Sequence, residues 1–201
     1  MIEVKISEMT GKLKGFQAIN TNTLTNDFCS KMRKTDAVCS ECYSAAMLQG
    51  VRKNCVDPWQ KNSDILSAKK YPLERLPVVM GHSFRFHGHG ELINFDHLFN
   101  LVGMAIKNPY TTFALWTKRK ELVAQYVKEI GAFPDNLILI FSNASTKRVL
   151  KKVPKHFHKV FNASKTGNVP AGATECTGKS CASCMACYRI NEHKIIVEKV
   201  K

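Results

Sequence analysis

The sequence lacks several features, and each absence narrows what the chain can be. No apolar run approaches the roughly 20 residues that a helix needs to cross a bilayer, so we expect no membrane partner. Residues 1–15 carry no apolar stretch after their first charges, which argues against a secretory signal and predicts a cytoplasmic protein. Internal repeats are missing too. We therefore expect one domain, 1–201, large enough to bury a core.

Cysteine is absent between Cys55 and Cys176, so the eight cysteines form two groups at opposite ends of the chain. The amino-terminal group is Cys29, Cys39, Cys42 and Cys55, and the carboxyl-terminal group is Cys176, Cys181, Cys184 and Cys187. In a reducing cytosol, clustered thiols favour metal or redox chemistry over disulfides. We therefore expect an inorganic group at each end.

The carboxyl-terminal group reads C-x4-C-x2-C-x2-C, and a loop that short cannot easily form two unstrained disulfides. Four thiolates suit Zn²⁺ or an iron–sulfur cluster, because both prefer sulfur. Four-cysteine zinc sites usually come as two separated CxxC pairs, whereas one continuous run is closer to ferredoxin spacing. The spacing favours a [4Fe–4S] cluster, with zinc as the alternative.

The amino-terminal group is less regular. Cys39 and Cys42 form a CxxC followed by a tyrosine, Cys29 lies ten residues before Cys39, and Cys55 follows thirteen residues after Cys42. Three close thiols with a distant fourth indicate a cluster that leaves one iron open for a ligand. A closed structural site that includes Cys55 is the alternative.

Acidic residues are missing from 136–174, although the chain as a whole carries a net charge of +14. The basic residues that accumulate there are Lys147, Arg148, Lys151, Lys152, Lys155, Lys159 and Lys165. Such a surface attracts phosphate backbones or an anionic small molecule. A solvated face that only aids solubility is equally compatible with it.

Strands and helices alternate from residue 77 onward. The predicted strands are 1–6, 77–86, 111–116, 136–142, 158–163 and 193–201, and the predicted helices are 38–50, 57–69, 95–108, 118–131 and 145–153. This order predicts an α/β fold with a parallel sheet, which right-handed crossovers would curl into a partial or small (βα) barrel. An amino-terminal cysteine region (1–70) precedes the βα core (77–165), and a carboxyl-terminal cysteine segment with a closing strand (170–201) follows it.

Four motifs taken together resemble a family of phage proteins, the "gene product 88" type. They are C-x9-C-x2-C-Y, RFHGHGEL, TKR and C-x4-C-x2-C-x2-C-Y, and they cover most of the chain. Membership implies an R-x-H-x-x-G-[DE] element, matched by Arg85, His87, Gly90 and Glu91. A phage-encoded protein would act in the host cytoplasm.

The order of the parts also resembles radical S-adenosylmethionine (SAM) enzymes, which place three cysteines after the first strand and a Gly-Gly-Glu-Pro-like motif after the second. The likeness implies a reducing [4Fe–4S] cluster whose open iron binds SAM, an auxiliary cluster on the last four cysteines, and a reductant such as flavodoxin or ferredoxin. The chain departs from these enzymes in its first cysteine gap, nine residues instead of three, and in the missing proline of GHGEL.

Catalytic residues of such folds lie where parallel strands end. We predict Arg85, His87, Glu91 and Lys118 as catalytic or substrate-contacting residues. Arg85 could grip a carboxylate or phosphate in a bidentate manner, or pair with Glu91 instead. His87 could shuttle protons or be a hydrogen-bonded structural residue. Lys118 begins a helix, which is a natural anion site.

Cofactor-binding residues are predicted from the same strand ends. Gly88, Gly90 and Glu91 match the cofactor motif by resemblance, and Asn143 follows the next strand. Glu91 could instead cap the helix after it. The leading functional hypothesis is an iron–sulfur protein of radical-SAM type acting on an anionic or nucleic-acid-related substrate. The alternatives are a zinc-stabilised nucleic-acid-binding protein and an iron–sulfur protein for electron transfer or redox sensing.

Overall fold

One mostly parallel sheet, flanked by helices, organises the chain. The computed structural model describes residues 1–199. The strands are β1 (Ile6–Glu8), β2 (Gln17–Ile19), β3 (Ser83–Phe86), β4 (Thr112–Thr117), β5 (Leu137–Ser142), β6 (Lys159–Ser164), β7 (Thr174–Cys176) and β8 (Ile195–Lys199). The helices are α1 (Asp27–Met32), α2 (Tyr43–Gln49), α3 (Val56–Ala68), α4 (Phe95–Lys107), α5 (Lys120–Glu129) and α6 (Cys181–Cys184).

The strands pair in the order β1-β2-β3-β4-β5-β6-β8-β7. The β1–β2 pair is antiparallel, and every other pair in this order is parallel. From β2 to β6 the neighbours follow chain order without a reversal, as expected for βα units wound in one direction. The α/β class is confirmed. Closure into a barrel is not shown, because the pairing of residues 1–199 runs from β1 at one edge to β7 at the other.

The two faces of the sheet bury different partners, because side chains alternate along each strand. One face packs apolar side chains such as Phe84, Phe113 and Leu139 against α3, α4 and α5. The opposite face carries Ile138 and Ile140, and the carboxyl-terminal cysteine segment packs there. The residues of that second cluster are Phe16, Ala114, Ile138, Ile140 and Tyr188, with Trp116, Phe161, Cys181, Met185, Cys187 and Ile190 around it. None of the helices in residues 1–199 combines the length and apolarity needed to cross a membrane.

Several predicted boundaries are wrong. The strand predicted over 77–86 begins only at Ser83, because the amide of Val79 is bound by the Asn108 side chain instead of a neighbouring strand. The helix predicted over 145–153 does not form. Its backbone is held by two asparagines, since Asn143 donates to the Arg148 carbonyl and Asn162 accepts from the Leu150 amide at 2.8 Å.

The amino-terminal third differs from prediction in four ways. The strand predicted over 1–6 forms instead over Ile6–Glu8. Residues 10–36, for which no strand or helix was predicted, contain β2 and α1. The helix expected over 38–50 is divided at Cys42, whose φ of −65° and ψ of 104° are extended. The helix expected over 57–69 begins at Val56, so Asp57 lies in its first turn. The last predicted strand forms as β8, and its residues 200–201 lie outside the described residues.

A fully buried lysine anchors the carboxyl-terminal segment to the sheet. The ammonium group of Lys159 donates to the carbonyls of Arg189 at 2.7 Å, His193 at 3.5 Å and Glu192. These carbonyls belong to the turn that follows Cys187. Lys159 therefore fixes the path of the chain leaving the last cysteine.

We expect Lys159→Met to lower the free energy of unfolding by about 2 kcal/mol, because three buried carbonyls lose their donor. Urea denaturation of the parent and the variant measures the change. Lys155→Met, at an exposed position, is the matched control and should shift stability by less than about 0.5 kcal/mol. Equal shifts in the two variants would contradict the anchoring role.

Candidate metal centres and the cavity between them

The four carboxyl-terminal cysteines surround a small cavity of about 40 Å³ on the sheet face opposite α3–α5. Arg85 from β3 and Trp116 from β4 line the same cavity. A volume of this size corresponds to a few water molecules. It therefore suits an inorganic ion or cluster better than an organic ligand.

The thiols of this group act on one another electrostatically. Burial raises the pKa of Cys187 to about 12; Arg85 opposes this shift, and the neighbouring Cys176, Cys181 and Cys184 add to it. Burial is also the main cause that raises the pKa values of Cys176 and Cys181. Neutral thiols are therefore stable here unless a cation joins them. A soft metal ion supplies that positive charge and holds thiolates, so this donor set fits zinc or an iron–sulfur cluster.

Three of the amino-terminal cysteines also come together. Cys29 lies in α1, Cys39 in a 3-10 turn over Val38–Glu41, and Cys42 at the start of α2. Burial raises the pKa of Cys29 to about 12, with smaller contributions from Glu91, Cys42 and Cys39. Burial likewise raises the pKa of Cys39. These thiols share one environment and fit the same soft cations.

Cys55 lies apart from that group. It occupies the position just before α3, and its Sγ is 3.7 Å from Oδ1 of Asn54. Its charge is not among those that shift the pKa of Cys29 or Cys39. Within residues 1–199, no three His, Cys, Asp or Glu side chains are already arranged to hold a metal ion. The structure thus groups three amino-terminal thiols and separates the fourth.

The GHGEL loop lies beside the segment that leads to Cys29. The Thr21 amide donates to the His89 carbonyl, and the His87 amide donates to the Ile19 carbonyl, each at 3.0 Å. The segments after β2 and β3 therefore continue side by side beyond the carboxyl ends of these two strands. A side chain at Gly90, whose φ is +126°, would place Cβ 2.2 Å from Oγ1 of Thr21.

Gly88 is confined in a similar way. A Cβ there would lie 2.6 Å from Cε of Met9 and 2.8 Å from Oδ1 of Asn20. A side chain at Gly88 would therefore displace the side chains of Met9 and Asn20, whereas Gly90 also has the positive φ that favours glycine. Both glycines thus have a packing role in this loop.

Glu91 is buried and fully hydrogen-bonded. Its Oε1 accepts from the Thr117 hydroxyl at 2.6 Å and the Leu92 amide at 2.8 Å, and Oε2 accepts from the Lys118 amide at 2.9 Å. It does not cap α4, because Asn94 accepts from the His97 amide there. Glu91 thus links the loop after β3 to the end of β4.

Arg85 and Lys118 point into one region from adjacent strands. The Arg85 guanidinium lies 3.7 Å from the Trp116 ring centroid, and its Nε donates to the His87 carbonyl at 3.2 Å. It does not pair with Glu91, the alternative considered from sequence. The Lys118 ammonium donates to the Ser142 hydroxyl at 3.0 Å.

His87 and His89 of the RFHGHGEL segment lie in different surroundings. The His89 ring stacks on Trp59 with centroids 4.7 Å apart, and its Nδ1 lies 3.1 Å from Oγ of Ser44. The His87 ring lies 5.1 Å from the His97 ring, edge to face. Burial lowers the pKa of His87 to about 3 and that of His89 to about 4. Both imidazoles are therefore neutral near pH 7.

Asn143, predicted to contact a cofactor, holds the connection after β5 through its side-chain amide. Its Nδ2 donates to the Arg148 carbonyl at 2.6 Å and to Oδ1 of Asn162 at 3.0 Å. Its Oδ1 accepts from the Ser145 amide at 3.1 Å. Both amide hydrogens are used to hold the connection between β5 and β6, so none remains for a ligand.

A second cavity, of about 230 Å³, is lined by most of the residues that the sequence predicts as catalytic or cofactor-binding. They are Arg85, His87, Gly90, Glu91 and Lys118, and they face Cys176, Cys181 and Cys187. Sequence reasoning missed Lys12 and Glu198, which line the cavity and form an ion pair at 2.6 Å. The two are 186 positions apart, so no local motif marks them.

Part of the basic stretch binds the amino-terminal cysteine segment. Lys147 pairs with Asp36 at 2.6 Å, and Lys165 pairs with Glu41 at 2.8 Å. These pairs are exposed, so water and salt weaken them. A backbone hydrogen bond from Val38 to Ala144 joins the same two segments at 2.8 Å. Some of the positive charge therefore positions the loop between Cys29 and Cys42.

Comparison with protein-family models, with curated proteins and with solved structures found no match to this chain. The likeness to phage proteins and to radical-SAM enzymes therefore depends on motifs and strand order alone.

We expect Gly90→Ala to destabilise the protein by about 2 kcal/mol more than Gly131→Ala. Both glycines have positive φ, +126° and +115°, but the space around Gly131 is open. The difference in unfolding free energy isolates the contact with Thr21. Equal losses would show that loop packing does not require a glycine at position 90.

We expect His87 to make folding stability fall on acidification. An unfolded histidine takes up a proton below about pH 6.5, whereas the folded His87 resists protonation down to about pH 3. Stability from this group is complete above that upper value and declines below it. Between about pH 7.5 and about pH 5 the parent should lose about 2 kcal/mol more than His87→Asn. Identical pH dependence of their denaturation midpoints would contradict this.

Proposed function

We propose that this is an iron–sulfur protein of radical-SAM-like architecture, in which Cys29, Cys39 and Cys42 hold a reactive [4Fe–4S] cluster. The four carboxyl-terminal cysteines hold a second, closed cluster. The observation that carries the proposal is the way in which the thiols are grouped in the structure. Three half-buried amino-terminal thiols act on one another electrostatically without Cys55, and four others line one small cavity.

The architecture supports the same proposal. The strands β2 to β6 are parallel and in chain order, and the cysteine segment and GHGEL loop follow β2 and β3. We propose that this sheet curls as a partial barrel, with its reactive edge at the carboxyl ends of the strands. Such a protein would draw electrons from a flavodoxin or ferredoxin in the host cytoplasm.

The chain's own residues have distinct roles in this proposal. Cys29, Cys39 and Cys42 would hold a site-differentiated cluster, which would supply the electron for reductive cleavage of SAM. Glu91 fixes the start of the helix after β4, and Lys118 lies close enough to Cys29 and Cys39 to lower their thiol pKa values. Lys118 therefore stabilises the thiolate forms that a cluster requires.

A second function is favoured by one observation. Lys151, Lys152 and Lys155 are exposed and form no ion pair within residues 1–199. Their charge is available to a phosphate backbone, as a nucleic-acid-binding protein with two structural zinc sites would need. The identity of the bound metal, iron or zinc, distinguishes the two functions.

We expect anaerobically purified protein to be brown and to contain iron matched by acid-labile sulfide. Cys187→Ser should remove about half of that iron, because it deletes a ligand of one cluster. Cys55→Ser is the matched control and should keep the full content, because Cys55 lies outside the group of three. Colourless protein with two zinc ions per chain would overturn the iron–sulfur proposal.

We expect SAM to alter the electron paramagnetic resonance spectrum of the reduced protein, because it would bind the open iron of the amino-terminal cluster. The change should persist in Cys187→Ser and disappear in Cys39→Ser. A spectrum that SAM leaves unchanged would contradict the radical-SAM part and leave an electron-transfer role.

A further inference from the structure

The larger cavity contains two cationic side chains that no carboxylate neutralises within residues 1–199. Arg85 bonds only to a backbone carbonyl and stacks on Trp116, while the Lys118 ammonium bonds only to a hydroxyl. The cavity's two carboxylates are already engaged. Glu91 accepts three hydrogen bonds from neighbouring groups, and Glu198 pairs with Lys12. The positive charge facing the cavity is therefore uncompensated.

A buried imidazole in the same cavity also lacks a well-formed hydrogen bond. His87 is only 4% exposed, and neither ring nitrogen makes a hydrogen bond of good geometry, although the backbone of Trp116 lies near enough to oppose the lowering of the His87 pKa. Leaving buried polar atoms unpaired is costly, and such atoms in a folded protein call for an explanation. The residue also has a φ of +61°, a left-handed conformation that is unfavourable outside glycine and tends to occur at functional sites.

We propose that this cavity is an oxyanion site, which binds the carboxylate or phosphate group of a small molecule through Arg85, Lys118 and His87. Arg85 offers a planar fork for two oxygens, held in place by Trp116. Lys118 adds a point charge. His87 donates one hydrogen bond from a neutral ring. The ligand thereby completes each group that the fold leaves without a partner.

The size of the cavity restricts the ligand class. About 230 Å³ accommodates an oxyanion with a short organic part, and it is smaller than the usual range of about 300–1,000 Å³ for drug-sized ligands. A nucleic-acid strand needs an extended groove instead. The inference rests on the proposed function for the identity of the site as a substrate site, but anion binding itself requires no cluster.

The test is isothermal titration calorimetry with inorganic phosphate and with succinate, which represent the two sources of oxyanion. The parent should bind at least one of them with a dissociation constant on the order of 1 mM or tighter at low salt. Arg85→Met and Lys118→Met should each weaken binding by about tenfold or more, because each removes a charge-assisted hydrogen bond.

Lys128→Met is the matched control, since it removes one exposed positive charge outside the cavity and outside the basic stretch. It should change the affinity by less than about twofold. An equal loss in Lys128→Met and Lys118→Met would overturn the inference, because binding would then follow net charge. Failure of the parent to bind both anions would also overturn it.

A variant that keeps the backbone conformation guards against loss of folding. His87→Asn should fold, because asparagine tolerates positive φ, and should weaken anion binding without changing net charge near pH 7. Nitrogen-15 NMR of the parent should show a shift of the His87 ring signals when the anion binds. An unmoved signal under saturating anion would contradict a direct contact.

Iron analysis of the same samples separates the two proposals. Protein without iron that still binds anions through Arg85 and Lys118 supports this inference and contradicts the iron–sulfur proposal. If the protein contains iron and neither substitution changes its anion affinity, this inference is contradicted and the iron–sulfur proposal is not. If the two cations serve only to balance thiolates, Arg85→Met and Lys118→Met will lose iron and leave anion affinity unchanged, which also contradicts it.

Discussion

The candidate site depends on one buried carboxylate. Glu91 accepts hydrogen bonds from Thr117, Leu92 and Lys118, and so joins the loop after β3 to the end of β4. Without it, the start of the following helix would lose the acceptor that holds it against GHGEL. Its negative charge also raises the pKa of Cys29, which makes a nearby cation more favourable. A structural contact and the electrostatics of a cysteine group thus arise from the same side chain.

The two faces of the sheet have different roles. Its helix-covered face holds the main apolar core, and its other face presents Arg85 and Trp116 to the carboxyl-terminal cysteines. Sequence reasoning located chemistry at the amino-terminal cysteines and regarded the other four as closed. The larger cavity instead borders three of those four, and Lys118 lies near both groups. The space for a ligand therefore lies between the two cysteine groups.

Local sequence patterns predicted long elements well and long-range contacts poorly. The bounds of α4, β4 and β5 lie within about two residues of expectation, because their apolar periodicity extends over several turns or pleats. The strand β2 was missed because its three residues are too few to show an alternating apolar pattern. The role of Asn143 and the pairing of Lys12 with Glu198 depend on partners brought together only by folding. Arg85, His87, Gly90 and Glu91 of RFHGHGEL line the larger cavity, and the two glycines and Glu91 also have packing and hydrogen-bonding roles that a motif does not reveal.

Extended X-ray absorption fine structure, recorded at the iron and zinc edges of anaerobically purified protein, tests the central claim most directly. Two thiolate clusters predict iron surrounded by sulfur with a strong iron–iron scattering shell, and no zinc signal. Zinc surrounded by four sulfurs, with no iron present, would contradict the claim.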